Sequence, residues 1–547
     1  MCGIIGYVGE KNCAQLLISG LKSLEYRGYD SAGIVVIDSG KKFRVRKSVG
    51  RVSGLEAQVN YSSFLGTTGI AHTRWATHGK PSIPNSHPHF DPKGIVGVVH
   101  NGIVENFVEL KEGLISRGAK FSSETDTEII AHLIAGELAN SSGRQMTLEG
   151  AVARILPLLQ GSYALGVVSP LEPGKIVAAR KSSPLVIGVG KGENFLASDV
   201  PAFLAHTRNA MVLEDGELAV LTKKGVSITK DGKKIRRPLW KISWSPEAAK
   251  LNGYPHYMLK EIEEQPETLP AIIAQDEKVI RKLTAEMRAA KRIVMVACGT
   301  SRHAALIGRY LLVRENGLYC DVLLASEFSH FAGSLGKGTL VIAISQSGET
   351  ADVMESVRAA KKQGAKVYSI VNVVGSSLTR ESDGTIYMRA GPEIGVAATK
   401  TFSATIMTFY LLAQALNGKY RESFPKVREA ARLLRETIEA NKAVLKKIAA
   451  EYKHANAFYF IGRGINFAAA IEGALKLKEI SYIHAEGMPA GELKHGSLAL
   501  VGKGIPIVSI NPTDDTYEET VSNTMEVKAR EGSVIGISNR PNPIYNY

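Results

Sequence analysis

The second half of the chain carries the same spacing of apolar runs twice. Residues 293–297 are followed 47 residues later by 340–344, and residues 458–462 are followed 47 residues later by 505–509. A third run comes 73 residues on in the first copy (366–371) and 75 on in the second (533–538). Amphipathic helical patterns separate the runs, and strands that alternate with helices fold as a parallel sheet covered on both faces. Two copies of one doubly wound unit is therefore the expected architecture. The first copy adds a strand (385–390) and a closing helix (399–416). In the same register the matching strand of the second copy would start near position 550, whereas the sequence ends at Tyr547. The expectation is a second unit short of its last strand and helix, with a sheet edge and an apolar flank left for another chain to cover.

The first 235 residues have a different texture, with short strands at 33–37, 94–99, 163–168 and 185–189, Gly-rich turns and fewer helices, such as 127–138. That pattern predicts an α+β layered domain. A polar stretch, 233–255, reads as a linker. The expected division is 2–235, a linker with the start of the second half at 236–283, then 284–422 and 449–547. No apolar run approaches the roughly 18 residues of a membrane span, and the N-terminus lacks a secretory pattern, so a cytoplasmic protein without a membrane partner is expected. The four cysteines, Cys2, Cys13, Cys298 and Cys320, show no metal-ligand spacing. Net charge is +14, but the basic clusters at 41–47 and 233–237 lack interleaved aromatics. Phosphorylated metabolites are favoured over nucleic acid.

Cys2 is where removal of Met1 would leave a free α-amine on a thiol residue. The amine titrates near pH ~8 and the thiol near ~8.5, so one residue can supply both nucleophile and base. Hydrolysis of the side-chain amide of a free amino acid also requires a cation for the α-carboxylate, an anion for the α-ammonium and donors for the oxyanion. Arg74, with the polar groups of Thr77 and His78 beside it, supplies the first. Asp126 could pair with the ammonium or cap a helix. Asn101 and Gly102, after the strand that ends at Val99, offer a side-chain NH₂ and an unhindered backbone N–H, or simply a hairpin turn.

In the second half, the run 340–344 leads directly into Ser345-Gln346-Ser347-Gly348-Glu349-Thr350 and a helical pattern. Hydroxyls and backbone N–H groups at a helix N-terminus form a phosphate cradle. The preceding strand ends in Cys298-Gly299-Thr300-Ser301 at the same sheet edge, where open parallel sheets gather their ligands. Capping alone explains either segment; the two together favour a bound phosphate. In the second copy Glu472, Lys476, Glu479 and Ile483 fall on one helical face. An exposed i,i+4 pair is the plain reading of Glu472 and Lys476. A Gly-rich loop at 487–496 then brings His495. Carboxylate and imidazole beside a sugar phosphate are what aldose–ketose isomerisation requires.

Several motifs carry a family resemblance. Cys2-Gly3-Ile4-Ile5-Gly6, residues 24–33, His72-Thr73-Arg74-Trp75-Ala76-Thr77-His78, Val99-His100-Asn101-Gly102 and residues 123–128 resemble the class II, N-terminal nucleophile glutamine amidotransferases. The resemblance implies Cys2 as nucleophile, Arg74, Thr77, His78 and Asp126 as glutamine ligands, Asn101 with Gly102 as oxyanion hole, and Trp75 as a gate for ammonia. The second half resembles paired sugar-isomerase (SIS) domains, and nearly the whole chain is similar to the isomerising glutamine:fructose-6-phosphate aminotransferases. That similarity implies Thr300, Ser301, Ser345, Gln346, Ser347 and Thr350 around the sugar phosphate, and Glu479 as isomerising base. It also implies Lys476 as a supporting charge and His495 as ring opener from the neighbouring subunit of a homodimer. The substrates implied are L-glutamine and D-fructose 6-phosphate, with no metal or organic cofactor. Members of the family continue past the region of Tyr547 into a tail that supplies an imine-forming lysine. The competing reading is thus a sugar-phosphate-binding protein with residual glutaminase activity. An SIS-type transcriptional regulator is disfavoured, because nothing before the SIS units resembles a helix-turn-helix.

Overall fold

Both faces of the strand Gly3–Val8 are apolar. Ile4 and Val8 point one way, Ile5 and Tyr7 the other, and all four are buried. Such a strand needs a packed layer on each side. The computed structural model, which describes residues 2–76, 78–139, 146–242 and 251–547, supplies both layers. The chain forms two units, Met1–Lys250 and Leu251–Tyr547.

In the first unit, antiparallel pairing gives an eight-stranded sheet ordered Trp240–Lys241, Asn209–Val212, Val186–Val189, Asn194–Ala197, Gly3–Val8, Thr68–Arg74, Ser31–Ile37, Phe43–Val49. A seven-stranded sheet runs Lys233–Ile235, Gly225–Lys230, Glu217–Thr222, Lys175–Lys181, Gly161–Val168, Gly97–Val104, His89–Phe90. Ile4, Val35 and Ile70 of the first sheet share one core with Val99, Ala164, Ile176 and Ala219 of the second, so the sheets lie face to face. The helix Cys13–Leu24 packs Leu17, Ile18 and Leu21 on the outer face of the first sheet. Helices Glu128–Ala139 and Leu148–Ile155 cover the second with Ile130, Ile134, Ala151 and Val152. This is the α/β/β/α layering that the resemblance to N-terminal nucleophile amidotransferases implies.

Two local readings change. The strand expected at 94–99 is Gly97–Val104, so Asn101 and Gly102 lie within a strand and not in a hairpin turn. Continuous pairing with Gly161–Val168, Asn101 opposite Ala164 and Gly102 opposite Tyr163, overrides the turn preference of Asn-Gly. Gly102 has φ +130, and a side chain there would collide with the Ser162 carbonyl. Part of the polar stretch read as a linker adds strands, with Lys233–Ile235 on one sheet and Trp240–Lys241 on the other. Trp244 and the rest of 243–250 lie outside the described residues.

In the second unit the first parallel sheet runs Asp321–Leu324, Arg292–Ala297, Thr339–Ser345, Lys366–Val371, Gly384–Tyr387. The second runs His484–Pro489, Ala457–Gly462, Pro506–Ile510, Ser533–Ile537. The first four positions match strand for strand, which is the duplication seen as topology. Part of the Gly-rich loop expected at 487–496 is strand, because residues 484–489 pair along Ala457–Gly462. The last edge is not bare either. Asn546 N–H donates to the Val534 carbonyl at 2.8 Å, and the Tyr547 carbonyl accepts from Gly536 N–H at 2.9 Å. Residues 546 and 547 thus lie along the open ladder groups of this strand.

Helices Gly299–Asn316 and Lys400–Leu416 cross at Gly308, where an added Cβ would come 2.5 Å from the Phe409 ring. Gly308→Ala is expected to cost about 1–3 kcal/mol through overpacking, read as a lower urea midpoint for the second unit. An unchanged midpoint would mean the helices separate freely.

Candidate active site

Strand register builds the first site. Gly3 pairs with Thr73 and Ile4 with His72, which sets Cys2 against the end of the strand that carries Arg74 and Trp75. Trp75 N–H donates to Cys2 Sγ at 3.2 Å, and Sγ lies 3.4 Å from the Trp75 carbonyl. The Cys2 carbonyl accepts from Arg27 Nε and from Asn101 Nδ2, both at 3.0 Å. Burial pushes the Cys2 thiol up, opposed by the Trp75 N–H and the charges of Arg74 and Arg27.

Arg74 is 4% exposed. Its Nη2 donates to the carbonyls of His78 and of Gly79, the latter at 3.0 Å. Its Nη1 is buried with no partner among the described residues. Burial lowers the guanidinium, with Cys2, Asp126 and Asp30 acting the other way. A buried donor without an acceptor costs about 1–3 kcal/mol, so this nitrogen suits an anionic ligand. Trp75 is 40% exposed and meets Tyr29 edge-on at 5.5 Å. His78 meets Phe107 in the same manner at 5.4 Å. Thr77 lies outside the described residues.

Asp126 is buried, and its Oδ2 accepts from Val104 N–H at 2.8 Å. It therefore ties the strand Gly97–Val104 to the segment before the helix, and the expected alternative of a helix cap gives way to this long-range bond. Glu128 braces the same segment, accepting from Ser122 N–H at 2.8 Å and Ser123 N–H at 2.6 Å. Burial would raise its carboxyl, but hydrogen bonds from Ser122 and Ser123, with His132 Nε2 3.8 Å away, outweigh that and hold it below the usual carboxylate range. Asn101 spends Oδ1 on His72 Nε2 at 3.0 Å and one N–H on Cys2, which leaves its second N–H for a ligand.

The second site lies where the duplicated units meet within the second half. The helix Gly299–Asn316 starts directly after the strand Arg292–Ala297, and the helix Ala351–Lys362 starts after Thr339–Ser345. No side chain caps either helix, so Ser347 and Glu349 are not an ordinary helix start. Ser345 Oγ accepts from Gly348 N–H at 3.0 Å and lies 2.9 Å from Thr350 Oγ1, while Ser347 Oγ accepts from Glu349 N–H at 3.2 Å. The Gln346 carbonyl accepts from Asn372 N–H at 3.0 Å. Glu349 serves a different helix, accepting from Ser377 N–H at 2.7 Å.

Glu472, on the helix Ile465–Ser481, is buried rather than an exposed pair member. Thr300 Oγ1 donates to its Oε1 at 2.9 Å, and His303 Nδ1 lies 2.8 Å from its Oε2. Lys476 Nζ reaches Thr300 Oγ1 at 3.1 Å and Glu479 Oε2 at 2.5 Å. Thr300, Glu472, Lys476 and Glu479 thus form one network across the two copies. Ser301 sits in the first turn of the Gly299–Asn316 helix beside Thr300. Ile483 falls past the helix end, since Tyr482 is a left-handed cap. His495, at the end of the turn Ala490–His495, is exposed, and its side chain makes no hydrogen bond or ion pair among the described residues.

A glutamine amidotransferase domain model matches residues 72–205, and a SIS domain model matches residues 286–415 and again 451–546. The isomerizing glutamine–fructose-6-phosphate aminotransferase of Thermococcus kodakarensis is 47% identical over 99% of this chain and 90% of its own length. The chain belongs to that family. A second aminotransferase of the family, from Clostridium tetani, is 44% identical over 98% of this chain and 90% of its own. The C-terminal domain of the glucosamine-fructose-6-phosphate aminotransferase of Francisella tularensis is 38% identical with a TM-score of 0.50. It covers 54% of this chain and 89% of that one.

Within this aminotransferase chain, two residues at the sites escaped the sequence reading. His303 lies one helical turn beyond Thr300, a spacing that could have flagged it. His72 sits inside a quoted motif but pairs with Asn101 only through the fold. The raised Cys2 thiol gives a direct test. In protein that retains Met1, alkylation of Cys2 by iodoacetamide is expected to keep accelerating past the ordinary thiol pKa of about 8.5. A plateau already reached at pH 7 would contradict the burial effect.

Proposed function

We propose that this chain transfers the amide nitrogen of L-glutamine to D-fructose 6-phosphate with isomerisation, giving D-glucosamine 6-phosphate and L-glutamate, the entry step of amino sugar synthesis. We place it in the cytoplasm as a homodimer. The observation that carries the reading is the cluster around Arg74 and Cys2: a buried guanidinium whose Nη1 has no partner among the described residues, the buried Asp126 carboxylate whose charge acts on that guanidinium, and the Asn101 amide bonded to the Cys2 carbonyl. Its family membership names the acceptor.

Removal of Met1 frees the Cys2 amine to take the thiol proton. Sγ then attacks the side-chain carbonyl carbon of glutamine. The oxygen that gains charge is held by Asn101 Nδ2–H and Gly102 N–H. The C–N bond breaks, ammonia leaves with the proton held by the amine, and water cleaves the thioester to glutamate. Arg74 binds the α-carboxylate and Asp126 the α-ammonium, with Trp75, Thr77 and His78 around the ligand. At the sugar site Thr300, Ser301, Ser345, Gln346, Ser347 and Thr350 hold the phosphorylated ketose. Glu479 moves the proton between C1 and C2, with Lys476 steadying its charge. His495, exposed at the end of its turn, opens the sugar ring across the dimer.

Purified protein incubated with both substrates should release glutamate and glucosamine 6-phosphate together, and intact mass should show Met1 removed. Glutamate without the amino sugar would reject the synthase reading. Arg74→Lys removes the buried Nη1 donor and is expected to raise KM for glutamine by about tenfold or more, with a smaller change in kcat. Glutamine saturation curves check this, and an unchanged KM would remove Arg74 from the glutamine site.

A further inference from the structure

The four histidines His72, His87, His89 and His100 form one buried group beside the Cys2 site, and no step above uses them. His72 is fully buried and stacks on His87, with centroids 4.0 Å apart and planes 11° from parallel. His87 meets His89 edge-on at 4.7 Å. His87 Nδ1 accepts from His100 N–H at 3.3 Å, and His89 Nε2 lies 3.1 Å from Thr125 Oγ1. Burial holds all four rings below the ordinary histidine range, His72 at about 3, so the group is neutral at physiological pH.

His72 Nε2 faces two acceptors, the His100 carbonyl at 3.1 Å and Asn101 Oδ1 at 3.0 Å. A nitrogen between two acceptors must carry the proton, so His72 is the Nε2–H tautomer. That proton decides how Asn101 is turned. With Oδ1 held by His72, Nδ2 faces the Cys2 carbonyl at 3.0 Å, which keeps an amide donor, and not the amide oxygen, on the Cys2 side. Without the His72 proton the amide could rotate and set its oxygen against Cys2, repelling a developing oxyanion.

We propose that His72 is a positioning residue for glutamine hydrolysis: its buried N–H, fixed by stacking on His87, sets the orientation of the Asn101 amide that receives the oxyanion. This rests on the glutaminase reading above. Asn101 acts in the transition state more than in glutamine binding, so loss of its orientation falls on kcat.

His72→Phe keeps a ring for His87 and removes the donor. It is expected to lower kcat for glutamine hydrolysis about a hundredfold, the effect of losing one oxyanion donor, with KM held within about threefold. His72→Gln returns an N–H and should recover at least about tenfold of that loss. In an Asn101→Ala background, His72→Phe should cost nothing further, because its route runs through Asn101. A kcat within threefold of the parent, a loss confined to KM, or an equal loss without Asn101 would each overturn the proposal. A long-range ¹H–¹⁵N spectrum of histidine-labelled protein reads the same point without substitution, even if the Phe variant does not fold: His72 protonated on Nε2 supports it and on Nδ1 overturns it. Cys2→Ser, assayed beside these, separates the two levels. Hydrolysis that persists in Cys2→Ser overturns the glutaminase reading together with this one, whereas hydrolysis abolished by Cys2→Ser but indifferent to His72→Phe overturns only the role of His72.

Discussion

The antiparallel pairing of Gly3–Val8 with Thr68–Arg74 is the constraint on which the first site depends. A residue at the second position of a chain is ordinarily a loose end. Here the ladder pins Gly3 opposite Thr73, the carbonyl of Cys2 is held by Arg27 and Asn101, and the sulfur meets the Trp75 backbone. Because both faces of the strand are buried, a one-residue slip would move Ile4 and Val8 into the wrong core layer. Packing therefore enforces the register that aims the nucleophile.

The second half solves a different problem with duplicated parts. Each doubly wound unit ends its first strand at a helix N-terminus, and the helices Gly299–Asn316 and Ile465–Ser481 share an apolar contact through Leu306, Ile307 and Ala468. That contact brings Thr300 and His303 of one copy to Glu472 and Lys476 of the other. A buried carboxylate would be costly alone. With Thr300, His303 and Lys476 around it, Glu472 becomes the tie between two copies and sits one turn from Lys476 and two from Glu479.

Much of this was legible in one dimension. Strand runs and their 47-residue spacing predicted two copies of one doubly wound unit, because fully buried parallel strands read as continuous apolar runs. The motifs around Cys2, Arg74 and Asn101 named the chemistry that a glutaminase needs. Readings failed where long-range pairing overrode local preference. Asn101-Gly102 has the composition of a turn but extends a strand, Asp126 has the composition of a cap but bonds Val104, and 487–489, the start of the expected Gly-rich loop, lies along Ala457–Gly462.

The order of residues alone determined the family resemblance, the layered and doubly wound classes, and which side chains can act as nucleophile, anion partner or cation. Those follow from local periodicity and from functional groups, both of which are written in sequence. Only tertiary structure decided which nitrogen of Arg74 has no partner among the described residues, that Glu472 is buried and bound by His303, and that His72 faces the Asn101 carbonyl. Each of those pairs residues 28 or more apart in the chain or depends on burial, and no local pattern encodes distance across a folded core.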